Sequence, residues 1–177
     1  QSNDGGVAIS DNGANAWRQT VGMHTTQFYN ADKKPGESAY IGGMQDNGTR
    51  FLGAEHEPDW RPASPGDGFD SLWNAGDPSL MMSTYQYGIV YLSTDDGTTF
   101  RGEHANEPSS FYTNLATVKH DPDVVYVSGF ESLDRTDDFG RSWLSRPTTR
   151  NQRIAISPAD VRRLYSLNSS RVVQTSN

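Results

Sequence analysis

A chain of 177 residues with 33% hydrophobic and 11% aromatic residues and 17 glycines suits one domain of many short strands and tight turns. The formal net charge of −7 argues against a nucleic-acid partner, and basic residues gather only from Arg146 to Arg163. Without cysteine there is no disulfide scaffold or thiol chemistry, and no apolar run approaches the ~20 residues of a membrane-spanning helix.

In chain order, residues 1–20 read as the outer half of a sheet unit, with a turn at Asp4-Gly5-Gly6, a strand over Val7 to Ser10 and Trp17 anchoring the next. Residues 21–63 form a second unit. Its strands are Thr25 to Asn30, Ser38 to Gly43, Thr49 to Leu52 and Asp59-Trp60-Arg61, with a turn at Asp32 to Gly36 and an Asn-Gly hairpin at Gln45-Asp46-Asn47-Gly48. After Pro62-Ala63-Ser64-Pro65, the unit 64–104 runs through Phe69 to Trp73, Leu80 to Tyr85 and Ile89 to Ser93, with a hairpin tip at Gln86-Tyr87-Gly88. The unit 105–147 has strands at Phe111 to Val118, Val124 to Phe130 and Leu133 to Thr136, with a turn at His120-Asp121-Pro122-Asp123. Residues 148–177 open a further unit through Arg153 to Ser157 and Leu164 to Leu167; only Ala159 to Arg163 reads as a helical turn. Pro78, Pro122 and Pro158 each stand at a turn before a strand, where a fixed φ and a missing N–H cost nothing. Met82, Tyr126, Tyr40 and Tyr165 hold similar places in the strands that follow.

One pattern repeats. Ser93-x-Asp95-x-Gly97-x-Thr99-Phe100 and Thr136-x-Asp138-x-Gly140-x-Ser142-Trp143 match at every position. Each couples a turn-closing aspartate to a glycine free to take positive φ, then an aromatic anchor. A looser copy lies at Ser10, Asp11, Gly13 and Trp17, or at strict spacing Ser10-x-Asn12-x-Ala14-x-Ala16-Trp17. Trp17, Trp60, Phe100 and Trp143 fall 40 to 43 residues apart, the period of a four-stranded propeller blade. The pattern resembles the Asp-box, or bacterial neuraminidase repeat, of β-propellers, in which the box pins a turn between the outer strands, away from the binding mouth. The expected fold is an all-β propeller segment of three complete four-stranded antiparallel blades and two partial ones, from a longer chain, with the four aromatics filling the gaps between blades.

A narrower resemblance rests on Asp4-Gly5-Gly6-Val7-Ala8-Ile9-Ser10, Gln27-Phe28-Tyr29, Gly42-Gly43-Met44-Gln45-Asp46-Asn47-Gly48, Trp60 and Gly66-Asp67-Gly68, in that order. It is similar to bacterial sortilin-like (VPS10-like) repeat proteins, which resemble the xyloglucan-cleaving hydrolases of glycoside hydrolase family 74. It implies an exported or cell-surface setting, extracellular or periplasmic, in a bacterium.

Asp4, Asp46 and Asp67 sit in Gly-rich turns where backbone can approach a ligand. An inverting glycosidase needs two carboxyls about 6.5–9.5 Å apart, and Asp4 and Asp67 are the pair a hydrolase would use. The family's base lies in a stretch resembling Asp4-x-Gly6, from which this sequence departs by one missing residue. Asp46, Asn47, Asp67 and Tyr87 are candidate ligand-binding residues, the aspartates being equally suited to capping turns. Tyr85, Trp73, Phe28 and Tyr29 are sugar-stacking candidates or blade core. A sialidase would want clustered arginines, but Arg50, Arg61, Arg101 and Arg135 are scattered. No cofactor is implied. Calcium is the one metal to consider, at Asp95/Asp96 or Asp134/Asp137/Asp138, neither with EF-hand spacing; His24, His56, His104 and His120 lack zinc spacing. Ser93, Asp95, Gly97, Phe100, Thr136, Asp138, Gly140, Trp143 and Trp17 are expected to be structural. The function expected is a non-catalytic binding or scaffolding surface for protein or glycan, or for other subunits of a surface complex. The alternative is part of an inverting hydrolase acting on polysaccharide.

Overall fold

The computed structural model describes residues 2–3, 6–19, 26–53, 60–105, 111–129, 131–148, 153–168 and 171–176. They form five antiparallel sheets. The first has three strands: β1 (Ser2–Asn3), β2 (Gly6–Ile9) and β3 (Arg18–Gln19). Three four-stranded sheets follow: β4 (Phe28–Lys33) to β7 (Arg61–Ser64) through β5 (Tyr40–Met44) and β6 (Gly48–Leu52); β8 (Ser71–Trp73) to β11 (Arg101–Ala105) through β9 (Met81–Thr84) and β10 (Ile89–Ser93); and β12 (Leu115–Val118) to β15 (Leu144–Pro147) through β13 (Asp121–Ser128) and β14 (Ser132–Thr136). The last has β16 (Arg153–Ser157), β17 (Asp160–Asn168) and β18 (Arg171–Ser176). A 3₁₀ turn at Gln86–Gly88 is the one helical turn among the described residues.

The chain is an all-β partial propeller. The inner strands β5, β9 and β13 are buried on both faces, which only neighbouring sheets can cover. Ala39, Ile41 and Phe51 meet Trp73 and Met81 across the second junction. Leu72, Met82, Val90 and Leu92 meet Leu115, Val125, Val127 and Phe139 across the third, and Ala116, Val124 and Tyr126 meet Ile154 and Leu164 across the fourth. First strands pack on first strands, β4 on β8 and β12 on β16.

A side-chain acceptor latches each of these junctions. Asp32 Oδ2 takes the backbone N–H of Trp73 (2.9 Å), Asp70 Oδ2 that of Leu115 (2.9 Å), and Asn114 Oδ1 that of Ile154 (2.7 Å). The inner edge of a blade has no further strand to pair with, so these donors would otherwise be orphaned.

The two full repeat turns share one hydrogen-bond scheme. The Ser93 and Thr136 hydroxyls donate to Asp95 and Asp138 and accept from the N–H of Gly97 and Gly140. The same aspartates take the N–H and hydroxyl of Thr99 and Ser142. Phe100 and Trp143 pack against the second and third junctions as expected. Trp17 and Trp60 do not wedge between sheets: they are 49% and 38% exposed, and Trp60 instead meets Phe28 of its own sheet, 6.1 Å between ring centroids. The period placed four aromatics on one beat, but only the two that directly follow a full turn are aimed at a neighbour.

The degenerate copy follows the strict spacing. Ser10 accepts from Ala14 N–H and Asn12 from Ala16 N–H, and the bonds of Asp11 run instead to Arg18. Gly13 and Ala14 have φ of 68° and 70°, where the full turns have Asp96 and Gly97 at 56° and 77° and Phe139 and Gly140 at 49° and 86°. Ala14 thus occupies the glycine place. Ala14→Gly is expected to stabilise this turn by about 1 kcal/mol, read as slower amide exchange at Ala16 and Trp17.

Acid should loosen the full turns. The backbone and hydroxyl of Thr99 hold the Asp95 carboxyl below its usual range. Burial pushes Asp138 upward, but the hydroxyls of Ser142 and Thr136 outweigh it and the net shift is also downward. Groups depressed on folding contribute stability above the unfolded value, and it fades as pH falls through the folded one. Melting temperature is therefore expected to fall with pH below about 4, less steeply in Asp95→Asn/Asp138→Asn.

Three local expectations change. The last strand of the second sheet does not end at Arg61 but runs as β7 over Arg61–Ser64; as an edge strand it tolerates Pro62. The Asp160 carboxylate caps the N–H of Arg162 at the start of β17, so no helical turn forms at Ala159 to Arg163. Asp121, Pro122 and Asp123 begin β13 rather than forming a turn. Met82, Tyr126 and Tyr165 do share one register, opposite Leu72, Ala116 and Ala155. Tyr40 opens β5 opposite Lys33, two residues ahead of Gly42. The ring of Phe28 fills the space a side chain at Gly42 would need, a Cβ there lying 2.5 Å from Phe28 Cε1.

Candidate functional site

The strand order sends hairpins 1–2 and 3–4 of each four-stranded sheet to one end, with both full repeat turns. Hairpins 2–3 and the connections between sheets go to the other. There Gly42 to Gly48 meets Gly66 to Phe69. Gly48 N–H donates to Gly66 C=O (2.6 Å), Gly68 N–H to Met44 C=O (3.0 Å) and Asp46 N–H to Asp67 Oδ1 (2.6 Å). Contact this close needs glycine: a Cβ at Gly43 would lie 2.0 Å from Phe69 O, and one at Gly68 2.5 Å from Gly48 O.

Asp46 and Asp67 are thus brought together but do different work. Asp67 is buried and caps the 45–48 turn. Asp46 is exposed at φ 57° on the hairpin tip, where Asn47 Nδ2 donates to Gln45 C=O. A cavity of about 430 Å³ opens beside them, lined by Asp46, Asn47, Arg50, Ser64 and Pro65 among others. Asp4 lies outside the described residues.

Tyr87 occupies the matching tip one sheet on. It is 52% exposed with φ 63°, an unusual backbone for a bulky side chain. The buried Thr113 of the next sheet holds this tip: its hydroxyl donates to Tyr85 C=O (2.6 Å) and accepts from Gly88 N–H (2.8 Å). Tyr87 then meets Phe111 edge-on at 5.7 Å, and Phe111 is itself 49% exposed. Phe111 meets Phe69 (5.5 Å), and Phe69 meets Tyr112 (4.5 Å) and Tyr29 (4.9 Å). The result is an aromatic ladder with an exposed outer end and a buried inner one. Trp73 is core, while Tyr85 and Tyr29 are half-buried.

Beneath the ladder, Asp70 is 5% exposed and accepts from Tyr112 Oη (2.9 Å), Leu115 N–H (2.9 Å) and Asn114 Nδ2. Burial holds its carboxyl above the ordinary range; the donors and the charge of Arg153 act the other way. Burial, then the Asp70 charge, pushes the Tyr112 phenol far up, which suits a neutral positioning group and not a nucleophile. Arg153 sits over the Tyr112 ring at 4.0 Å and donates to its oxygen (3.0 Å). The sequence reading missed Asp70, Phe111, Tyr112, Thr113, Asn114 and Arg153. One signal was present: Asp70 and Asn114 stand one blade period apart, each directly before an inner strand.

The acidic groups considered for calcium are spent separately. Asp134 pairs with His104 (2.5 Å), which stacks on Trp143, Asp137 with Arg135, and Asp96 with Lys34 (2.9 Å). Among the described residues no three His, Asp or Glu side chains converge as a metal site.

Neither a family model nor a curated protein matches the sequence. Solved structures do match in three dimensions. The GH74 enzyme of Niastella koreensis superposes with a TM-score of 0.62 at 18% identity, over 86% of this chain and 23% of that one. An ancestral GH74 enzyme gives 0.62 at 12%, over 91% and 27%. The GH74 xyloglucanase of Xanthomonas campestris gives 0.54 at 17%, over 86% and 23%. The fold is that of a GH74-type propeller. The chain spans about a quarter of the length of each of these enzymes. The full repeat turns lie at one end of the blades and the aromatic ladder at the other.

Proposed function

We propose that this segment is a non-catalytic glycan-binding part of an exported or cell-surface GH74-like propeller, with Tyr87 and Phe111 as the sugar platform. The carrying observation is Tyr87: a half-exposed tyrosine in a left-handed backbone, fixed by Thr113 from the neighbouring sheet. Strain at a bulky exposed residue needs a compensating use, and a fixed aromatic face gives up little entropy on binding. Assignment of the three repeat turns to the Asp-box class, and of the chain to sortilin-like proteins, belongs to this reading, as does its description as a segment of one longer propeller. Affinity electrophoresis in soluble polysaccharides tests it: Tyr87→Ala should lose about tenfold in affinity, on the scale of one lost stacking contact, with melting temperature unchanged. Wild-type protein that no polysaccharide retards would end the reading.

The hydrolase alternative draws on the superposition with GH74 enzymes. Reducing-sugar release from xyloglucan by this chain, lost in Asp67→Asn with binding retained, would favour it.

A further inference from the structure

Resting on the glycan reading above, we propose that this face selects sugars that bear a carboxylate, and that Arg153 is the residue that reads it. Arg153 is exposed at the start of β16, at the end of the sheets that carries the aromatic ladder. Its place is held from below: Asp70 fixes the Tyr112 hydroxyl, and Tyr112 fixes the guanidinium through one N–H bond and its ring face. A guanidinium has five N–H donors in a planar fork, and a carboxylate is the partner that takes two of them side by side.

Four arginines are matched by a carboxylate: Arg18 by Asp11, Arg135 by Asp137, and Arg162 and Arg163 by Asp160. Arg153 has an aromatic partner instead, and the nearby Asp70 carboxylate is turned away, occupied by Tyr112, Asn114 and Leu115. Charge along the chain points the same way. Residues 144–177 contain six arginines and a single aspartate, in a chain whose formal net charge is −7. Strand direction also puts Arg146, at the close of β15, and Arg171, at the β17–β18 hairpin, at the Arg153 end of the sheets. An anionic ligand repelled by most of this protein is drawn to that corner. A uronic acid unit fits: an apolar ring face for Phe111 and Tyr87, and a carboxylate for Arg153.

The test uses the full chain with polygalacturonate and alginate, each beside its esterified, uncharged form, and neutral xyloglucan, at low and physiological salt. Wild type should bind at least one acidic polymer about tenfold tighter than its ester. Arg153→Gln should erase that preference, Arg153→Lys should keep only part of it, and Tyr87→Ala should weaken acid and ester alike. Near-UV circular dichroism establishes that each variant is folded; were Arg153→Gln to misfold, Arg153→Lys decides. Equal binding of acid and ester by wild type, or an unchanged preference in the folded Arg153 variant, overturns the inference and leaves the glycan reading standing. Failure to bind any polysaccharide overturns both.

Discussion

Asp70→Ala is expected to lower the unfolding free energy by about 3 kcal/mol, a drop of roughly 6–12 °C in melting temperature for a chain of this size. One buried carboxylate serves Tyr112, Asn114 and the N–H of Leu115. Its removal strands three donors at the junction of two sheets, and stranded donors cost more than the bonds they made. Asp70→Asn should cost clearly less, since Asn114 performs the equivalent latch to Ile154 through its own amide oxygen. The two variants also separate by pH. Because burial raises the Asp70 carboxyl on folding, its contribution is full below the unfolded value and fades as pH climbs through the folded one. Asp70→Asn should therefore lose that alkaline-side decline while keeping the acid-side decline set by Asp95 and Asp138. Urea midpoints across pH 3 to 8 check this (about the range where these groups titrate). Equal losses for Asp70→Ala and Asp70→Asn at every pH would show that an amide oxygen at this position does not maintain the latch, against the parallel drawn with Asn114.

Gly43→Ala should be about as severe, roughly 2–3 kcal/mol, for a different reason. The new methyl meets the carbonyl of Phe69 at 2.0 Å and the backbone of Gly68 at 2.6 Å. No side chain can rotate aside, so the 66–69 connection must move and carry Phe69, the centre of the aromatic ladder, with it. Stability and polysaccharide retardation should fall together. Gly102→Ala is the control: its Cβ meets nothing nearer than Tyr91 at 3.9 Å, and a change within about 0.5 kcal/mol is expected. Wild-type melting in Gly43→Ala would mean that the two glycine-rich segments do not rest on one another.

Much of the architecture was legible because it is local and repeated. Ser93 to Phe100 and Thr136 to Trp143 contain the side-chain donors and acceptors that close their turns, so the pattern alone implies the local geometry. The strict spacing of Ser10, Asn12 and Ala14 held for the same cause: backbone N–H groups find the side chains at fixed offsets, even where glycine is missing. The glycine-rich segments 42–48 and 66–68 were visible as places of close approach, though not that each is what the other approaches.

What the sequence by itself determined is the repeat: antiparallel sheets on a beat of 40 to 43 residues, closed by turns whose side-chain hydrogen bonds lie within eight residues. Only the tertiary structure decided what the far end of the sheets can do. Asp70, Tyr112, Thr113, Asn114 and Arg153 act across junctions, on partners 25 to 45 residues away in the chain, and no local pattern marks such a pairing. The same physics explains Trp17 and Trp60. Periodicity sets where along the chain an aromatic falls, whereas burial depends on which face of the sheet it leaves from and on whether a neighbouring sheet lies there to receive it.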